Sequence, residues 1–223
     1  MVTVAVVEVG DPDPALVARV HDGGALASWQ AGCDLVAVQG MEGGGRIRGR
    51  VALLPLLAEV LDAVQVPVVA AGGIATARGV AACLAAGASA VRVGTRLLAT
   101  EESGAHPRYV AALLSAGAED AVLTDAFSVG WPPGPEPHRT LRSALEAAGS
   151  FQGEVVGVTR MGAITLPVPR FGVPCPNRET SGEVAAMVHY AGQGAGATDA
   201  VLPAAQVVTD LAEGAERLLR RWG

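Results

Sequence analysis

Apolar residues come first in unbroken runs and then at helical spacing. The stretches 3–9 (TVAVVEV), 34–38 (DLVAV), 67–71 (PVVAA) and 89–93 (SAVRV) are short, Val-rich and apolar without alternation. That pattern marks strands buried on both faces, as in a parallel sheet. Between them, PALVARVH, VALLPLLAEVLDAV and TARGVAACLAAGA repeat their apolar positions every three to four residues. Asp13 followed by Pro14 supplies an N-cap and a first helical residue. Strand followed by helix followed by strand predicts a parallel α/β sheet with right-handed crossovers. Residues 24–31 (GALASWQA) read as a helical stretch or a strand; the helix is preferred, because a parallel crossover into 34–38 needs about a dozen residues.

Beyond residue 100 the alternation fades. AHPRYVAALLSAG reads as a helix, DAVLTDAF as a short strand, GWPPGPEPHR as a rigid turn, and 138–148 as a helix. Residues 151–178, rich in Gly and Pro, predict an extended excursion, and two helical patterns, 179–192 and 199–222, close the chain. The organisation expected is a barrel-like unit over 1–125, the excursion over 126–178 and C-terminal helices over 179–223.

Composition narrows the chemistry. The 223 residues are half hydrophobic, enough for a substantial core. All 16 basic residues are arginine, so lysine Schiff-base chemistry and a P-loop lysine are excluded. A net charge of −6 argues against nucleic acid or an anionic membrane as partner and points to a small ligand. The start of the chain has no signal-peptide pattern, and the long apolar run 52–71 is broken by Glu59, Asp62 and two prolines, so a cytoplasmic protein is expected. Cys33, Cys83 and Cys175 lack metal-type spacing, and neither a metal site nor a disulfide framework is expected.

Ligands of parallel α/β folds bind at the carboxyl ends of the strands. Three such ends carry glycine here: VQGMEGGG, AAGGI and VGTR. Their amide groups, with no side chain in the way, can cradle a phosphate. Gly72, Gly73, Gly94 and Thr95 are the phosphate-binding candidates. Five glycines within 39–49, namely Gly40, Gly43, Gly44, Gly45 and Gly49, imply a backbone brought close to a ligand or a tight turn.

Together QGMEGGGRIRG, PVVAAGGIATARGVAACLAAGASAVRVGTRLLATEESGAHPRY, WPPGPEPHRTLRS and HYAGQGAG resemble the nitronate monooxygenases, formerly called 2-nitropropane dioxygenases. The resemblance covers most of the chain. Related flavin barrels, the FMN-dependent enoyl-ACP reductases and more distantly the IMP dehydrogenases, share the AGGI to GT part. What the resemblance implies is an α/β TIM barrel holding FMN, incomplete here, with about four barrel strands and a C-terminal helical region. It places Gln39 at the flavin ring, the loop Gly40 to Gly45 along FMN, Gly72, Gly73 and Arg92, Val93, Gly94, Thr95 at the phosphate end, and Gln193 at the rim. The reaction implied is oxidation of an alkyl nitronate by flavin and O2 to a carbonyl compound and nitrite, so the partners expected are a small anionic substrate and O2.

Two departures accompany it. Where the family's loop carries histidine, a base or polar anchor, this chain has Arg46, which cannot accept a proton at working pH but can bind an anion. The family also has extra N-terminal strands and a helix-sized piece near Gln30 and Ala31, and an open half-barrel exposes a strand edge, so a homodimer is expected. A catalytically degenerate phosphate-binding remnant or partner subunit, and an enoyl reductase relative, stand as alternatives.

Among the remaining candidates, His106 before Pro107 reads as a helix cap, and Glu101 and Glu102 as capping residues of a turn. His138 matches a family position, His189 has no catalytic counterpart, and Trp131 is expected to pack the excursion onto the barrel.

Overall fold

The computed structural model describes residues 35–131 and 137–221. The expected strand 3–9, the Asp13 cap, the helical stretch 24–31 and Cys33 lie outside the described residues.

Strands β1 (Val36–Gln39), β3 (Val68–Ala71) and β4 (Ala90–Arg92) form a parallel sheet in that order. These are the expected strands, trimmed at their ends. Helices α1 (Leu53–Ala63) and α2 (Ala77–Ala85) are the crossovers, α2 with Thr76 Oγ1 accepting from Gly79 N as its cap. One core forms where Leu56, Leu57 and Val60 of α1 meet Val38, Val68 and Ala70 of the sheet and Val80 and Cys83 of α2. The C-terminal helix α6 (Ala204–Leu219) packs on α2 so closely that a Cβ on Gly214 would lie 2.6 Å from that of Ala77. Gly214 therefore sits mid-helix, despite its poor propensity, to let the two backbones approach.

After β4 come the short α3 (Thr95–Leu98) and α4 (Pro107–Leu114), whose N-cap His106 accepts from Arg108 N through Nδ1 at 3.1 Å. Glu102 caps α6, its Oε2 accepting from Ala204 N at 2.9 Å. Strand β5 (Ala121–Thr124) follows as expected.

The later sequence behaves differently from its pattern in three places. Residues 138–141, expected to begin a helix, form strand β6 (His138–Leu141), which pairs antiparallel with β5 and with the short β2 (Gly45–Arg46), and only then does α5 (Arg142–Ser150) start. The excursion is an antiparallel hairpin, β7 (Val155–Met161) and β8 (Ile164–Pro169), turning at Gly162 with φ of +63° and flanked by β9 (Ser181–Gly182). The helix read over 179–192 does not form. Ser181, Gly182 and Glu183 are exposed, but Ala186, Met187, Val188, His189 and Ala191 are all buried, so the second half of the segment has no solvent face. After a single tight turn at Val184–Ala186, the backbone runs extended along β6, with Leu141 N donating to His189 O at 2.9 Å and Ala191 N to Arg139 O at 3.3 Å. Tertiary pairing overrode a local helical period.

Candidate functional site

The carboxyl ends of β1, β3 and β4 open into one cavity of about 490 Å³. That size suits a cofactor or a drug-sized ligand. Each glycine segment reaches it: Gly43, Gly44 and Gly45 after β1, Gly72 and Gly73 after β3, and Gly94 with Thr95 after β4. Gln39, Arg46 and Arg92 line it as well. Among the sequence candidates, Gly40, Val93 and Gln193 are not lining residues. Gly40 is buried beneath α1, Val93 packs against the parallel-sheet core, and exposed Gln193 stands beside Gly194, which does line the cavity.

The glycine loop is fixed from several sides. Gly43 N donates to Gly40 O at 3.1 Å, and Gln193 N to Glu42 O at 2.9 Å. The Glu42 carboxylate accepts from Leu53 N at 3.0 and 3.1 Å, placing a negative charge on the first turn of α1 where the helix dipole favours it. Gln39 Nε2 donates to Arg46 O at 3.4 Å. Gly44 meets the segment before Gln193, and a Cβ there would stand 2.5 Å from Gly192 N. Gly192 N in turn donates to Thr95 Oγ1 at 2.9 Å, tying this crossing to the end of β4. Gly72 and Gly73 have φ of +108° and +68°, a left-handed turn that other residues adopt at a cost.

The residues fit a phosphate-bearing flavin on one geometrical test. A Cβ built on Gly94 or on Gly45 finds nothing within 4 Å, although both residues line the cavity. Protein packing does not demand glycine at 94, where φ is −116°, and the bare backbone there leaves room for a ligand to approach.

Arg46 lies with its guanidinium 4.7 Å from the centroid of Trp131, a cation–π contact that orients it at the cavity. The opposite wall was missed in the sequence: Leu98, Tyr109, Cys175 and Tyr190 line it. A signal existed, because the chain has only two tyrosines, in AHPRY and HYAGQG, and both face this cavity. Their hydroxyls are committed to the backbone, Tyr109 donating to Tyr190 O and Tyr190 to Val173 O at 3.2 Å. Burial pushes the Tyr109 phenol well above its usual value and that of Tyr190 up to about 12. Cys175 is exposed at the rim, yet its thiol is surrounded enough to be pushed up by burial too. Behind the wall, the His189 ring stacks on Tyr109 at 4.6 Å and donates from Nε2 to Val184 O at 3.1 Å, and burial lowers it to about 4.

At neutral pH, then, the tyrosines and the cysteine are protonated, and the charged lining residues are the arginines Arg46 and Arg92. No described lining residue serves as a proton acceptor of ordinary base strength, whereas an anion finds two positive charges. Among the described residues there is no group of three or more His, Cys, Asp or Glu that could hold a metal ion, and no helix long and apolar enough to cross a membrane.

An open arc of parallel strands, with glycine segments converging at their carboxyl ends, defines a TIM-barrel type of α/β fold that is incomplete among the described residues. The chain belongs to the nitronate monooxygenase family, whose model matches residues 2–214. A 5-hydroxy-7a-methyl-1-oxo-octahydro-1H-indene-4-carboxyl-CoA dehydrogenase of Rhodococcus jostii is 43% identical over 134 residues, covering 58% of this chain and 35% of the relative. A Staphylococcus haemolyticus protein described as "Probable nitronate monooxygenase" is 39% identical over 115 residues, 47% of this chain and 32% of the relative. A solved nitroalkane oxidase from Streptomyces ansochromogenes superimposes with a TM-score of 0.64 at 31% identity, covering 86% of this chain and 55% of that one. This chain thus spans about a third of the length of these two curated relatives and little more than half of the solved enzyme.

Proposed function

We propose that this chain carries the flavin-binding part of a cytoplasmic, FMN-dependent oxidoreductase that oxidises a small organic anion of the alkyl nitronate kind with O2. One observation carries the reading: three strand-end glycine segments converge on a cavity whose charged lining residues are both arginine. Gly72, Gly73, Gly94 and Thr95 would hold the phosphate, and Gln39 with Gly43 to Gly45 the ring system. When bound, the flavin supplies the electron acceptor and O2 the terminal oxidant; the protein supplies binding and orientation.

Arg46 takes the substrate anion. Since it cannot remove a proton, the substrate must arrive already ionised, as a nitronate does. Tyr109, Tyr190 and Leu98 offer ring and alkyl carbon to the body of that substrate, because both hydroxyls are turned to backbone carbonyls.

The test is the visible spectrum of purified protein before and after incubation with FMN and desalting, followed by nitrite release from propyl-2-nitronate. A retained flavin spectrum with nitrite formation supports the reading. Colourless protein that keeps no added FMN sinks it and leaves the degenerate or partner-dependent reading. A second reading, oxidation of an acyl-CoA thioester, is suggested by the Rhodococcus dehydrogenase, which is as similar to this chain as the nitronate monooxygenase relatives are. Anaerobic bleaching of the flavin by an alicyclic acyl-CoA and not by a nitronate would select it.

A further inference from the structure

Strand β6 is buried throughout although three of its four residues are polar: His138, Arg139, Thr140 and Leu141 are 1%, 5%, 0% and 0% exposed. The Arg139 guanidinium grips backbone alone. Nε and Nη2 donate to Met41 O at 3.1 and 2.8 Å, and Nη1 donates to Ala121 O at 2.6 Å. It makes no ion pair among the described residues. Burial lowers the pKa of the guanidinium, and the Glu42 charge lies near enough to oppose that lowering, yet Glu42 makes no hydrogen bond to it, and an apolar side chain of similar length would serve a purely structural strand better.

Its place suggests why it is kept. Met41 opens the glycine loop, and the backbone of the same Arg139 pairs with Gly45 while that of His138 pairs with Arg46. Along the same edge of β6, Thr140 Oγ1 donates to His189 O at 2.8 Å, next to Tyr190 of the opposite wall. One strand therefore holds both sides of the cavity. The fork on Met41 O fixes the start of a loop whose five glycines give it little stiffness of its own.

We propose that Arg139 is a positioning residue that sets Gly43 to Arg46 against the cavity and so acts on anion binding through Arg46. The inference rests on the functional reading given above. It differs from a general stabilising role in one consequence. If Arg139 works through Arg46, its removal costs nothing further once Arg46 is gone, whereas independent effects multiply.

The experiment uses the full chain with bound FMN and butyrate as a nitronate-shaped anion, its dissociation constant read from the change in flavin absorbance. Arg139→Met and Arg46→Gln are each expected to weaken butyrate about tenfold, the loss of a charge-assisted contact. The double variant is expected to be no weaker than Arg46→Gln alone. A double variant weakened by the product of the two factors overturns the proposal. In the flavin-free chain, hydrogen exchange over 40–48 is expected to speed about tenfold in Arg139→Met while α1 and α2 keep their protection. Unchanged exchange over 40–48 also overturns it. Should Arg139→Met fail to fold, Arg139→Lys, which keeps the charge but not the fork, takes its place with the same outcomes. A chain that binds no flavin refutes the functional reading, and the exchange measurement still decides the role of Arg139.

Discussion

Replacing Gly94 by alanine separates the ligand from the fold. A Cβ at this position meets no atom within 4 Å, and φ of −116° is open to any residue. The flavin-free protein should therefore keep its stability or gain about 0.4–1 kcal/mol from a less flexible unfolded chain. For a chain of this size that is a rise in Tm of no more than roughly 2–4 °C. The new methyl group, however, would stand where, on the proposed reading, a phosphate meets the amides of Gly94 and Thr95. Loss of one amide hydrogen bond to a charged group costs about 1.5–3 kcal/mol, a rise in Kd for FMN of roughly ten- to a hundredfold. Quenching of FMN fluorescence gives the Kd, and thermal melting of flavin-free protein gives the stability. Gly44→Ala is the contrasting variant: its Cβ would lie 2.5 Å from Gly192 N and 2.7 Å from the Ala191 carbonyl carbon, so overpacking should lower the stability of the flavin-free protein by about 1–3 kcal/mol and its Tm with it. Wild-type FMN affinity in Gly94→Ala would refute the assignment of the β4 end to the phosphate.

Arg46→His is expected to extend activity to neutral nitroalkanes, because it supplies the missing base; nitrite released at pH 7 from freshly dissolved against pre-ionised 2-nitropropane checks this, and a wild type equally active on both refutes it. Cys175, exposed at the cavity, should be alkylated by iodoacetamide while Cys83, 2% exposed, is spared, with FMN slowing the reaction. Because burial raises the Cys175 thiol, its rate should still be climbing with pH above the usual cysteine range; peptide mass spectrometry reads both. For His189, lowered by burial to about 4 from 6.5, the unfolded chain binds the proton more readily. Its contribution is present in full above pH 6.5 and is lost as pH falls towards 4, about 3 kcal/mol in all. Urea melts at pH 7.5 and 4.5 should show a smaller pH difference in His189→Gln, and an equal difference sinks the assignment.

The first half of the described chain was legible because its elements are local. Val-rich runs without alternation gave β1, β3 and β4, and helical spacing gave α1 and α2. The glycine segments were legible for a related reason, since parallel strands deliver their ends to one side of the sheet. Residues 138–141 and 186–191 were not legible. The first is a strand because β5 and β2 pair with it, and 187–191 runs extended because β6 supplies it with backbone partners; a sequence window contains neither the partner nor the burial that removes a solvent face. Tyr109 and Tyr190 escaped for the same cause: 81 residues separate them, and only the fold brings the hydroxyl of one to the carbonyl of the other.

That division of labour bears on which half of the site decides chemistry. The parallel arc supplies glycine backbone, and backbone amides recognise a phosphate whatever reaction follows. On the reading proposed above, two of the groups that would distinguish one reaction from another come from the segments hung on β6: Arg46 through its pairing with His138, and Tyr190 through the neighbouring extended chain. A nitronate and an acyl thioester differ in charge and bulk, and on this reading Arg46 and the tyrosine wall, not the glycines, would meet those differences. Exchanging Arg46 should therefore change which substrate is accepted while leaving FMN affinity nearly intact, and exchanging Gly94 should do the reverse. A variant of Arg46 that loses flavin as readily as substrate would show that the two halves are not separable, and the assignment of reaction specificity to the β6 side would fall.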